Sequence, residues 1–166
     1  IATAATSTFN SSVGSSFSIT TAEQDSWMKM VYQAFIAAGL NPNQSKILTA
    51  EVGRENAFNP NYLFGGHSDP KSGHNLGMIS WQGSRKKELI QHLKQQKLFD
   101  SNGNLMRSQQ CLNAQARFAI YEINNNSDYK TTKQYFLNEP NVSYETGSRV
   151  LGTNFIRWAI DKPPYA

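Results

Sequence analysis

The chain of 166 residues has one cysteine, Cys111. No internal disulfide can form, so stability has to come from packing, and a lone thiol in an apolar helical stretch reads as a small buried hydrophobe. Charge is also sparse. Charged residues make up 17% of the chain, and Asn, Gln, Ser and Thr fill the balance, a composition common in proteins that work outside the cytoplasm. No apolar run approaches the roughly 18 residues of a membrane span, and no basic start followed by an apolar segment marks a secretory signal. The first residue is Ile1 rather than Met, which raises the expectation of a processed or excised domain with a further domain upstream. There is no internal repeat and no βαβ alternation. The densest cationic run, Arg85-Lys86-Lys87, is too short for a nucleic-acid arm and reads as the solvated start of a helix. The formal net charge is +4 with a pI near 9.2, which favours acidic partners at long range.

Residues 1–19 are rich in Ala, Ser and Thr and carry no charge, the pattern of a linker or loosely attached arm. The folded domain is expected over 20–166, a length that fits one core. Thr20/Glu23 and Thr21/Gln24 have capping-box spacing. Trp27, Met28, Val31, Tyr32, Phe35 and Ile36 follow with a helical period, and Gly39 closes that helix. Asn41-Pro42-Asn43 opens a second helix, with Ile47, Leu48, Val52 and Glu55 on its buried side. Residues 57–80 form a long loop rich in Gly, Pro and Asn, with short strands expected near 62–64 and 78–81; a loop of this length in a compact domain is usually functional. A third helix starts at Ser84, a fourth runs from about Ser108 to Ile123, and two more are expected near 130–138 and 143–160. The fold class is mainly α, with a helical lobe and a small loop or β region walling a cleft.

Two glutamates, Glu51 and Glu55, lie one helical turn apart on one face. Glycosidic bond hydrolysis needs a protonated carboxyl beside the leaving oxygen, and an apolar setting keeps that proton on near neutral pH. Ile47, Leu48, Val52 and Phe58 are the expected setting. A lone glutamate is ordinarily a solvated helix residue, and the flanking sequence is what changes that reading. Glu55-Asn56-Ala57-Phe58-Asn59-Pro60 resembles the Glu-Ser-x-Phe-x-Pro signature of lytic transglycosylases, with Asn56 in the Ser position. Leu76-Gly77-Met78-Ile79-Ser80-Trp81-Gln82-Gly83, followed by Arg85, resembles the Gly-Leu-Trp-Gln-Trp-Thr-Gly segment of phage tail lysozymes. Phe118-Ala119-Ile120-Tyr121-Glu122-Ile123 resembles a helix of the same family, and Phe136 to Pro140 a late segment of it more loosely.

The resemblance covers roughly residues 44–160 and implies a lysozyme-like peptidoglycan glycosidase, a muramidase cutting the β-1,4 bond between N-acetylmuramic acid and N-acetylglucosamine. It implies Glu55 as general acid, with Glu51 as second carboxylate or tuner of its pKa, or as the acid itself if the register is shifted. Gln82, Trp81 and Tyr62 are expected to hold substrate, with Tyr121 at the cleft. Aromatic faces pack on sugar C–H faces and an amide bonds N-acetyl or hydroxyl groups; Trp81 as a core residue is the equal alternative. Asp69 is the candidate for a carboxylate that activates water, against a plain Asp-Pro turn. No cofactor or metal is expected. His67 and His74 with Asp69 keep a zinc amidase or peptidase open, although their spacing matches no zinc signature. A lytic transglycosylase, a chitinase and a non-catalytic wall-binding module complete the alternatives. The expected partners are glycan strands, an immunity or inhibitor protein and an upstream domain, with the chain itself a monomer that neither binds nucleic acid nor spans a membrane. Its expected place is the bacterial periplasm or wall, reached by secretion or as an antibacterial effector of a contractile, type VI, secretion system.

Overall fold

The computed structural model describes residues 19–65, 68–69 and 73–157, and of 68–69 and 73–74 the backbone. The linker expected at 1–19, up to Ser18, and Trp158 lie outside the described residues. The architecture is mostly helical. Helix α1 (Thr21–Ala37) starts where the Thr20 hydroxyl accepts from the Glu23 N–H, and it ends at Gly39, whose φ of +106° suits a residue without Cβ. Helix α2 (Pro42–Asn56) opens with a reciprocal capping box between Asn41 and Gln44, with Pro42 in the first turn. Its apolar residues Ile47, Leu48 and Val52 are buried against α1 and the C-terminal helices.

The chain then reverses sharply. Ala57 and Phe58 both have positive φ, 54° and 58°, a conformation that costs a non-glycine residue about 1 kcal/mol or more. Asn59 caps a four-residue helix, α3 (Pro60–Leu63), through the Asn61 N–H. That helix stands where a strand was expected near 62–64. The second expected strand is also absent. Residues 77–80 form a turn closed by paired hydrogen bonds between Leu76 and Trp81. The small β region is instead β1 (Ser68–Asp69) paired antiparallel with β2 (Gly73–His74).

Helix α4 (Gly83–Gln95) is followed by a tight turn at 100–104 and by α5 (Gln109–Asn125), whose N-terminus is capped by Ser108. Helix α5 packs along α1 and α4 and carries much of the core, including Cys111, Leu112, Phe118 and Ile123. A short 3-10 turn leads into α6 (Lys130–Thr132), which widens into a π-helical turn at Lys133–Leu137. Helix α7 (Tyr144–Val150) widens in the same way at Leu151–Ile156. Among the described residues no helix is long and apolar enough to cross a membrane.

Candidate active site

The two glutamates of α2 occupy different surroundings. Glu51 is fully buried, and Glu55, one turn later at the helix end, is half-buried. The fully buried setting expected for Glu55 is thus found at Glu51. Neither Glu51 oxygen has a hydrogen-bond partner of good geometry. The Arg54 guanidinium stands 3.9 Å away, and the Ser148 hydroxyl of α7 lies near the carboxyl. Burial pushes the Glu51 carboxyl above its ordinary pKa; Ser148 and Arg54 pull it back in part, and the neighbouring Glu55 charge adds to the rise. Arg54 also donates to the Tyr144 hydroxyl at 3.1 Å. This fixes an exposed tyrosine from α7 beside the end of α2, a neighbour that the sequence did not single out.

The segment that resembles the second motif is held against this helix end by side-chain bonds. Asn56 donates from Nδ2 to the Met78 carbonyl at 2.9 Å, and its Oδ1 accepts from the Phe58 N–H at 2.9 Å. The residue following Glu55 thus locks the left-handed reversal and joins it to the 77–80 turn. Gln115, from the middle of α5, completes the joint: its Oε1 accepts from the Met78 N–H, and its Nε2 donates to the Leu63 carbonyl. Gly77 has to be glycine here. Its φ is +81°, and a Cβ would stand 2.8 Å from the Gln115 oxygen and 2.9 Å from the Trp81 ring. Gln24 of α1, fully buried, donates to the Ala57 carbonyl and supports the reversal from behind. Gln24 and Gln115 were missed in the sequence. The available signal was a long polar side chain inside an otherwise apolar helix face, a position that calls for a buried partner.

Trp81 is a core residue. Its ring is 1% exposed and lies edge-on to Phe118, and its Nε1 donates to Glu122 Oε1 at 2.7 Å. It has no free face to offer a sugar. Arg85, read from sequence as part of a solvated face, instead makes a bidentate pair with Glu122, at 2.8 Å from Nε and 2.9 Å from Nη2. It also donates to the Phe155 carbonyl and lies over the Tyr129 and Phe155 rings. Trp81 and Arg85 therefore anchor the start of α4 to α5 and to the C-terminal segment, and Glu122 is the shared acceptor.

Of the remaining expected site residues, Gln82 is exposed at the N-terminus of α4, one residue beyond the closed turn, and makes no capping bond. Tyr62 is half-buried on α3. Tyr121 is 46% exposed on α5 and belongs to a ring cluster with His92 and Phe118. His92 is thus half-buried between two rings rather than on an open charged face. The Asp69 and His74 side chains and all of His67 lie outside the described residues. Among the described residues, no group of three His, Cys, Asp or Glu side chains is arranged to hold a metal. Cys111 is buried, and burial raises its thiol pKa.

The arrangement supplies a half-buried carboxyl at a helix end, a fully buried carboxyl one turn earlier, and a turn tied to that helix end and followed by the exposed Gln82. The model of the phage tail lysozyme family matches residues 26–156, and the chain belongs to that family. No significant match was found among curated proteins or solved structures.

Proposed function

We propose that this member of the phage tail lysozyme family is a muramidase, hydrolysing the β-1,4 bond between N-acetylmuramic acid and N-acetylglucosamine with Glu55 as general acid. The family carries the coarser statement, a lysozyme-like peptidoglycan hydrolase. The observation that supports the finer one is the joint made by Asn56. It ties the helix end that bears Glu55 to the 77–80 turn by one 2.9 Å bond, and this supports a site shared by the acid and the segment that runs on to the exposed Gln82. Glu51 is sealed from solvent and cannot touch a glycan without opening the helix packing. Its role is then indirect, as a neighbour behind the Glu55 helix end, and this favours Glu55 over Glu51 as the acid.

In this mechanism a sugar oxygen approaches the half-buried end of α2. Glu55 donates its proton as the glycosidic bond breaks, and water completes hydrolysis. Gln82 bonds N-acetyl or hydroxyl groups, and Tyr62 and Tyr121 stay as candidate substrate contacts. Asp69 stays the candidate for a water-activating carboxylate. Net charge +4 draws the enzyme to an anionic wall. Action at the periplasm or wall, by secretion or as an antibacterial effector, belongs to the same proposal.

The departure at Asn56 bears little on hydrolysis against transglycosylation. Its amide is consumed by internal bonds and is 2% exposed. Product chemistry separates the two. Purified peptidoglycan digested by the protein is expected to yield fragments with reducing N-acetylmuramic acid ends. Anhydro ends would make it a lytic transglycosylase, and digestion of chitin alone a chitinase. Stem peptides released in a chelator-sensitive way would bring forward His67 and His74. Wall binding without release would leave a binding module.

A further inference from the structure

A cavity of about 400 Å³ lies between α3 and the turn that follows α4. Its walls are α3 with Gly65 on one side and the turn 100–107 on the other. Its floor is apolar, from Phe64 and Leu105, both almost fully buried. Its rim carries one charge of each sign. Arg107 is exposed, and its Nη2 donates to Asn61 Oδ1 at 2.8 Å. Asp100 uses Oδ1 to accept from the Asn102 and Asn104 N–H groups, at 2.8 and 3.0 Å. Among the described residues no ion pair joins Arg107 to Asp100 or to any other carboxylate. Both residues line the same cavity, and each is held by neutral partners.

A rim of this kind suits a ligand that is itself zwitterionic and has small apolar groups between its charges. A guanidinium held by one neutral hydrogen bond has donors left for a carboxylate. A carboxylate whose second oxygen is unengaged accepts from an ammonium. Met106, 42% exposed beside them, gives an adaptable apolar contact. A plain glycan strand carries no such pair of charges, whereas the peptide arm on N-acetylmuramic acid does. The cavity also shares its frame with the candidate active site. Asn61 lies on the short helix capped by Asn59, directly after the reversal that follows Glu55, and the Gly65 carbonyl accepts from the Gly77 N–H at 2.9 Å.

We infer that this cavity is a subsite for the stem peptide of peptidoglycan, with Arg107 taking a peptide carboxylate and Asp100 a peptide amino group. This rests on the muramidase reading, and it makes the enzyme selective for strands whose peptides are still attached. Two measurements test it. The first is titration of the free stem tetrapeptide, L-alanyl-γ-D-glutamyl-diaminopimelyl-D-alanine, into the protein, followed by amide-proton shifts. Binding is expected, with shifts at 100–107, and about tenfold weaker in Arg107→Gln and in Asp100→Asn. The second is the KM for release of reducing ends from peptide-bearing and from peptide-stripped glycan. The same variants are expected to raise KM about tenfold on the first substrate and to leave the second unchanged. No tetrapeptide binding by the wild type, or equal binding by the variants, overturns the assignment. Equal KM changes on both substrates would make the cavity a sugar subsite and overturn it too. If the wild type cuts no glycan at all, the muramidase reading fails, and the tetrapeptide titration alone then decides the cavity.

Discussion

Glu122 and Glu51 both sit on inward faces of helices with almost no solvent exposure, and the fold treats them in opposite ways. Glu122 receives three good donors, two from Arg85 and one from Trp81. Its charge is compensated where it lies, and it joins three parts of the chain. Glu51 receives none of good geometry, and its ion-pair partner, the partly exposed Arg54, stands 3.9 Å away. Burying a carboxylate without partners is costly, and the group responds by holding its proton. A fully paired carboxylate reads as framework. A weakly paired one, kept next to a half-buried glutamate at a helix end, is a cost that stability alone does not explain, and functional sites are where such costs collect.

The contrast can be broken most forcefully at Glu122. Removing one partner of a buried ion pair strands the other, so Glu122→Ala is expected to cost about 3–5 kcal/mol. That corresponds to a melting temperature lower by roughly 10 °C, read by thermal unfolding. A loss below about 1 kcal/mol would contradict the framework role. Asn56→Ala comes next. It leaves the Met78 carbonyl and the Phe58 N–H without their buried partner, a loss of about 1–3 kcal/mol in urea unfolding. Glycan cleavage should fall with it, because the 77–80 turn loses its tie to the Glu55 helix end; unchanged activity would mean that the joint does not position the site.

The smallest effect is expected at Glu51, and it depends on pH. Its folded pKa lies above the ordinary value of 4.5, so the folded state holds the proton more tightly than the unfolded chain. The contribution of this proton to stability is complete below that value and is lost as pH rises through the folded pKa. Glu51→Gln removes the titration. Its stability should match the wild type at about pH 4 and exceed it near pH 7.5, measured by urea unfolding at both values. A variant that is less stable at the higher pH would mean that Glu51 is ionised and favourably held.

Much of the helical frame is legible in the sequence because its signals are local. Asn41-Pro42, Thr20 and Ser108 each cap a helix where the spacing puts one. The short helix α3 was hidden although Asn59-Pro60 repeats the Asn41-Pro42 start signal, because residues 57–80 read as one long loop with a strand near 62–64. The site is less legible because long-range partners build it. Trp81 looks like a groove residue until Glu122, 41 positions later, claims its indole N–H. Arg85 looks solvated until the same carboxylate and the Phe155 carbonyl are placed around it. The order of burial of Glu51 and Glu55 depends on α7 closing over Glu51 through Ser148 and Gly147, the latter packed on Ile47. No pattern within α2 encodes that contact.

The most direct test of the account is the rate of reducing-end release from purified peptidoglycan by Glu55→Gln and Glu51→Gln, measured side by side at equal folded concentration. General-acid catalysis is worth about 10²–10⁴-fold. A loss of that size is expected in Glu55→Gln, with most of the rate retained in Glu51→Gln. A loss confined to Glu51→Gln, with Glu55→Gln fully active, would contradict it and move the acid to the buried position.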